Sequence, residues 1–178
     1  MAYTKKAYTF TSSLLLNGGD GNFSIQALPF ECQFSPINGL VAEDINLDGW
    51  MDVIAHGNDY TTNVSIGRND AHKGLVLLGK EKGEFDLITS GVSGFHVEGD
   101  TRALVQLIAN NKLTFLLGRN NDTLRKFISG ESTKEYQVFT PEPMDVSAEV
   151  QYQDGSIRYH EFSYGSGHFS NHSTSNHY

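Results

Sequence analysis

Short apolar runs alternate with turns rich in glycine and asparagine along this chain, and almost nothing has the 3.6-residue period of a helix. Segments 13–16, 40–43, 53–56, 74–78, 103–107, 114–117, 147–152 and 156–162 are continuously apolar or alternate apolar with polar. Runs of this kind between turn signals read as β-strands. The turn signals are Asn17-Gly18-Gly19-Asp20-Gly21, Lys82-Gly83, Asn110-Asn111 and Asp154-Gly155. The last predicts a two-residue hairpin turn, because Asp-Gly matches the twist of paired strands. The pattern predicts an all-β chain of antiparallel sheet.

The pattern also repeats. A shift of 62 lays Leu15-Leu16 on Leu77-Leu78, Gly21 on Gly83, Phe23 on Phe85, Val53-Ile54 on Phe115-Leu116 and Asn58 on Asn120. A period of this size indicates repeated units that bury their apolar faces on one another. Four-stranded units repeated radially make a β-propeller. The expected organisation is a propeller-like segment over 1–140, holding about two full repeats plus partial ones, then a β-hairpin with a polar tail over 141–178.

One stretch of nine residues carries candidate chemistry: Asp44-Ile45-Asn46-Leu47-Asp48-Gly49-Trp50-Met51-Asp52. Oxygen side chains alternate at its first, third and fifth positions and return at the ninth, with a glycine at the sixth. Calcium takes oxygen ligands on a tight loop of this layout. Asp44, Asn46, Asp48 and Asp52 can supply side-chain oxygens and Trp50 its backbone carbonyl. The loop is not an EF-hand, since the twelfth position is Ala55 and the residues after the loop read as strand. Carboxylates crowded in one loop repel one another unless something neutralises them. The shift of 62 replaces Asp44 by Gln106, Asn46 by Ile108, Asp48 by Asn110 and Asp52 by Thr114. Position 106–114 is therefore expected to be a copy of the loop without metal.

Composition narrows the function classes. The 178 residues suit one domain, and the formal net charge is −8 with no basic run, which argues against nucleic acid as a partner. Glycine, at 18 residues, favours many tight turns. Cys32 is the single cysteine, so no disulfide forms within the chain, and it reads as a small buried apolar residue. No apolar run approaches the roughly 20 residues of a membrane helix. Met1–Lys6 carries charge with no long apolar segment after it, so no secretory leader is read there.

The order of Asp-rich loop, strand, Gly-Asn, Leu-Leu strand, glycine turn and phenylalanine resembles the FG-GAP/VCBS repeat of calcium-binding β-propellers. That family's loop implies Ca2+ on Asp44, Asn46, Asp48 and Asp52 with the Trp50 carbonyl. Its turn before a phenylalanine is similar to Asn17-Gly18-Gly19-Asp20-Gly21-Asn22-Phe23. The tail around Ala148–Ser156 and Tyr164–Ser170 resembles the ASPIC/UnbV segment of cartilage-acidic-protein-like members. The resemblance implies a non-enzymatic, extracellular or cell-surface protein serving adhesion, structural assembly or surface interaction. Only part of a propeller is legible, so the chain is expected to be either a fragment or a subunit completed by assembly. Open sheet edges then make self-association, or pairing with other protein chains, the expected partnership. A carbohydrate-binding module or part of a polysaccharide-active enzyme is the alternative reading, with glycans as partners. A self-assembling ring or filament subunit is another.

The remaining polar residues read as structural. His160, His168, His172 and His177 crowd the end of the chain without helical spacing, which suits a polar tail better than a zinc or copper site. Glu31, Asp59, Asp70, Glu98 and Asp100 form no catalytic pattern, and neither does Asp70 with His72. Asn22, Asn63, Asn121 and Asn171 each match the N-glycosylation pattern, which matters only for a secreted chain.

Overall fold

The computed structural model describes residues 4–63, 65, 67–130, 138–139, 141–142, 144–152, 155, 157–162 and 176–177. The chain is built of antiparallel sheets, in chain order β1 (Ser13–Asn17), β2 (Phe23–Ala27), β3 (Ile37–Glu43), β4 (Asp52–Gly57), β5 (Leu75–Gly79), β6 (Phe85–Ile88), β7 (Thr101–Ala109), β8 (Lys112–Arg119), β9 (Arg125–Ile128), β10 (Val138–Phe139), β11 (Ser147–Gln151), β12 (Ile157–Glu161) and β13 (Asn176–His177). Strands β3-β4-β5-β6 form one meander and β7-β8-β9 a second; β1-β2, β11-β12 and β10-β13 pair as two-stranded ribbons. Among the described residues the sheets do not close into a barrel or ring. No helix there is long and apolar enough to cross a membrane.

The apolar runs become strands because alternate residues serve opposite faces. On β4 and β5, Ile54 and Val76 pack toward the second meander, among Val41, Leu104, Leu113, Phe115, Leu117, Phe95 and Val97. Ala55, Leu75 and Leu77 pack the other way, onto Cys32 with Leu28 and Ile37. Cys32 is fully buried in a 3-10 turn, Phe30–Gln33. The first meander is thus covered on both faces, which is why β4 and β5 read as continuous apolar runs. Each fully buried leucine there contributes about 1.5–3 kcal/mol. The close approach of the two meanders depends on Gly39: a Cβ at that position would stand 2.6 Å from the Leu104 Cβ.

The repetition extends to register. Asn17↔Phe23, Leu16↔Ser24, Leu15↔Ile25 and Leu14↔Gln26 in β1-β2 become Gly79↔Phe85, Leu78↔Asp86, Leu77↔Leu87 and Val76↔Ile88 in β5-β6 on adding 62. Strands β3-β4 and β7-β8 also share a pattern, each with a register shift near its start, between Ile37 and Gly39 and between Thr101 and Ala103.

The expected metal-free copy of the acidic loop is not there. Gln106 and Ile108 lie within β7 and Thr114 within β8, and the last pair, Ala109↔Lys112, is closed by Asn110-Asn111 alone. Both asparagines have positive φ, 52° and 56°, the conformation a two-residue hairpin needs and asparagine tolerates. The second unit therefore lacks the loop instead of carrying a neutral version of it. Asp154 of the expected hairpin turn lies outside the described residues; the described pairs of the β11-β12 ribbon run from Ser147↔Glu161 to Gln151↔Ile157. The 164–170 part of the tail motif, together with His168, His172 and Asn171, lies outside the described residues.

Candidate metal centre

The loop between β3 and β4 is wound by two left-handed residues, Leu47 at φ 67° and Gly49 at φ 94°. Gly49 adopts this freely, whereas leucine does so at a cost of roughly 1–2 kcal/mol that the loop's own hydrogen bonds must offset. Those bonds run through the predicted ligand residues. Asp44 Oδ1 and Asn46 Oδ1 both accept from the Asp48 backbone N–H, each at 3.1 Å. Asp44 Oδ2 accepts from Gly49 N–H at 3.0 Å, and Asp48 Oδ1 from Trp50 N–H at 2.8 Å. The Asn46 amide donates to Asp48 Oδ2 at 2.8 Å. Asn46, Asp48 and Trp50 are exposed, and Asp44 is half-buried.

Asp52 behaves differently. It is 0 % exposed, and it opens β4 beneath the loop. Its Oδ2 accepts from the backbone N–H groups of Ile45 at 2.9 Å and Asn46 at 3.4 Å; its Oδ1 accepts from Gly79 N–H at 2.8 Å. The carboxylate thus fastens the start of the loop to the end of β5. Gly79 is required there, since a Cβ would fall 2.2 Å from the Met51 carbonyl oxygen. Among the described residues no lysine or arginine forms an ion pair with Asp48 or Asp52.

The donor set fits a hard cation in its chemistry. Asp44, Asn46, Asp48 and the Trp50 carbonyl offer oxygen only, on an exposed loop open to solvent. Among the described residues no three or more His, Cys, Asp or Glu side chains gather as a metal-holding cluster. The carboxylates are instead spread along the loop, each on backbone N–H groups, with Asp52 turned inward.

A second polar cluster was not singled out from the sequence. His56, Asn58, His72, Asp100 and Thr101 are all buried. Asn58 at φ 103° ties three segments together: its amide donates to the carbonyls of His72 and Gly99, each at 3.0 Å, and its oxygen accepts from His72 N–H at 3.0 Å. Asn38 joins this hub by donating to the carbonyls of Asn58 at 2.9 Å and Thr101 at 3.0 Å. Burial pushes His56 down to about 4, against the opposing pull of the Val97 carbonyl, and burial also lowers His72. Burial, with Glu31 nearby, pushes the Cys32 thiol up to about 11. The signal that could have found the cluster is a histidine inside an apolar strand, Val53-Ile54-Ala55-His56, followed by Gly57-Asn58.

The other candidates stand apart. Asp59 and Asp100 share Arg102, at 3.2 and 2.8 Å. Glu98 pairs with Lys73 at 3.2 Å. Asp70 is exposed while His72 is buried. Asn22, Asn63 and Asn121 are exposed in loops and turns. A comparison with protein-family models finds no match, and neither a curated protein nor a solved structure matches the chain.

Proposed function

We propose that this chain is a non-enzymatic, calcium-stabilised segment of propeller-like blades, of the FG-GAP/VCBS type with an ASPIC/UnbV-like end, working outside the cell in adhesion or structural assembly. The observation that carries the reading is the 44–52 loop, in which Asp44, Asn46 and Asp48 turn oxygens onto the same short stretch of backbone. Bound calcium supplies positive charge among these acids. Asp52 then transmits the loop's order to β4 and to Gly79 at the end of β5.

Extracellular modules bind calcium with Kd of about 10⁻⁴–10⁻³ M, so the test compares thermal melting in chelator and in about 10 mM calcium. The expected result is a higher Tm in calcium for the parent and no shift for Asp48→Ala. Identical melting of the parent in both buffers would sink the reading.

Assembly through sheet edges is favoured by a separate observation. Leu15, Phe23 and Ile25 are exposed on one face of the β1-β2 ribbon, and β1 pairs only with β2 among the described strands. Light scattering tests this part: a mass above one chain that falls in chelator joins calcium to assembly, and a single-chain mass in both buffers removes assembly.

A further inference from the structure

Two fully buried histidines lie between the first meander and the segments that cover it, and the calcium reading uses neither. His56, on β4, is 0 % exposed, and its Nε2 donates to the Val97 carbonyl at 3.0 Å. His72, just ahead of β5, is 1 % exposed, and its Nε2 donates to the Glu31 carbonyl at 3.2 Å, in the turn that carries Cys32. Each ring therefore holds a covering segment to the sheet by one hydrogen bond. With Nε2 on a carbonyl, the neutral ring carries its proton there and leaves Nδ1 as a bare lone pair. Neither Nδ1 has a hydrogen-bond partner among the described residues.

We propose that His56 and His72 form an acid-operated latch, which holds the Phe30–Gln33 turn and the 95–99 segment on the sheet at neutral pH and releases them as the medium acidifies. A second proton on either ring places a charge in a buried site with no acceptor at Nδ1. His72 also weighs electrostatically against a charge on His56. The carbonyls of Val97, Gly57 and His72 favour the charge on His56, and that of Glu31 the charge on His72, but burial outweighs them. The covering turn contributes Glu31, whose side chain is exposed, and Cys32, whose thiol stays neutral. The 95–99 segment contributes His96 and Glu98, both exposed, with Glu98 held by Lys73. Asp100, beyond it, is bonded to Arg102 and Asn120. Strand β5 carries no titratable residue, and β3 carries one only at its far end, Glu43.

The sign follows from where the proton binds first. The unfolded or released histidine takes it near pH 6.5, while His56 in place takes it only near pH 4. The held state is therefore fully favoured above about pH 6.5 and loses its advantage as pH falls toward 4. For His56 alone, the balance shifts toward release on the order of fifty-fold between pH 7 and pH 4.5.

Cys32 supplies the readout. It is the single cysteine, fully buried under the turn that His72 holds. Its labelling by 4,4′-dithiodipyridine, a thiol reagent that works in acid, is measured at pH 7 and pH 4.5 and divided by the rate for the denatured chain. The expected result is a rise in the parent between pH 7 and pH 4.5, and a much smaller rise in the chain carrying His56→Gln and His72→Gln. An unchanged rate in the parent, or an equal rise in the double variant, overturns the latch. If the double variant does not fold, the histidine Cε1–H resonances of the parent decide: two rings titrating near pH 6.5 while Cys32 stays protected overturn it, and two that resist protonation until Cys32 becomes reactive support it.

Discussion

The pairs β3-β4 and β7-β8 are the same ribbon closed in two ways. Each begins with a register shift, and each sends apolar side chains into the common core. In the first pair, residues 44–51 separate the strands and a buried carboxylate, Asp52, gathers the loop. In the second, Asn110-Asn111 suffices, and Thr114 stands where the shift of 62 puts Asp52. Thr114 is equally buried, yet among the described residues its hydroxyl bonds only to the Lys112 carbonyl, at 3.2 Å. Connecting two strands therefore requires neither eight residues nor acids. What the longer connection adds is an exposed arc of oxygens, with an internal fastener to hold it.

The largest expected contrast lies in that fastener. Asp52→Ala strands the N–H groups of Ile45 and Gly79, and should cost about 3–4 kcal/mol in urea denaturation, whereas Thr114→Ala should cost about 1 kcal/mol. Equal losses would mean that the two positions do the same work and that the loop needs no fastener. Next comes the response to calcium. At a hundredfold excess over Kd, binding adds about 2.7 kcal/mol to the parent. Replacing residues 44–51 by Asn-Gly, with Asp52→Thr, should give a folded chain with no such gain, read by circular dichroism and melting. A retained gain would move the calcium site elsewhere. The contact between the pairs should follow: Gly39→Ala forces a methyl onto Leu104 and should cost about 2 kcal/mol. The smallest effect concerns the short turn, where Asn111→Gly relieves a left-handed asparagine and should add about 0.5 kcal/mol. A loss there would show that the Asn111 side chain matters more than its backbone.

Much of the strand content was legible in the amino-acid order, and the reasons are local. The runs at 13–16, 53–56 and 74–78 lie in β1, β4 and at β5, because a buried strand between turn residues has few other ways to arrange its apolar side chains. Asn110-Asn111 was legible as a turn because few residues accept positive φ. The short strands β2, β6 and β9 were not legible; Phe23–Ala27 and Arg125–Ile128 mix exposed with half-buried positions and owe their shape to a neighbour. The ungapped shift of 62 also misled at β7. It laid strand residues on the acidic loop, because deleting that loop displaces β7 relative to β3 while β8 keeps its place relative to β4.

For the candidate centre, the order of residues alone settled which oxygens share one loop and where glycine lets it bend, since both depend on neighbours a few positions away. Packing assigned Asp52 to the interior, through a bond to Gly79 twenty-seven positions on. It likewise assigned His56 and His72 to burial, each on a carbonyl forty-one positions away. A side chain's burial and partners are fixed by whichever segment the fold brings against it, and no short window of sequence contains that segment.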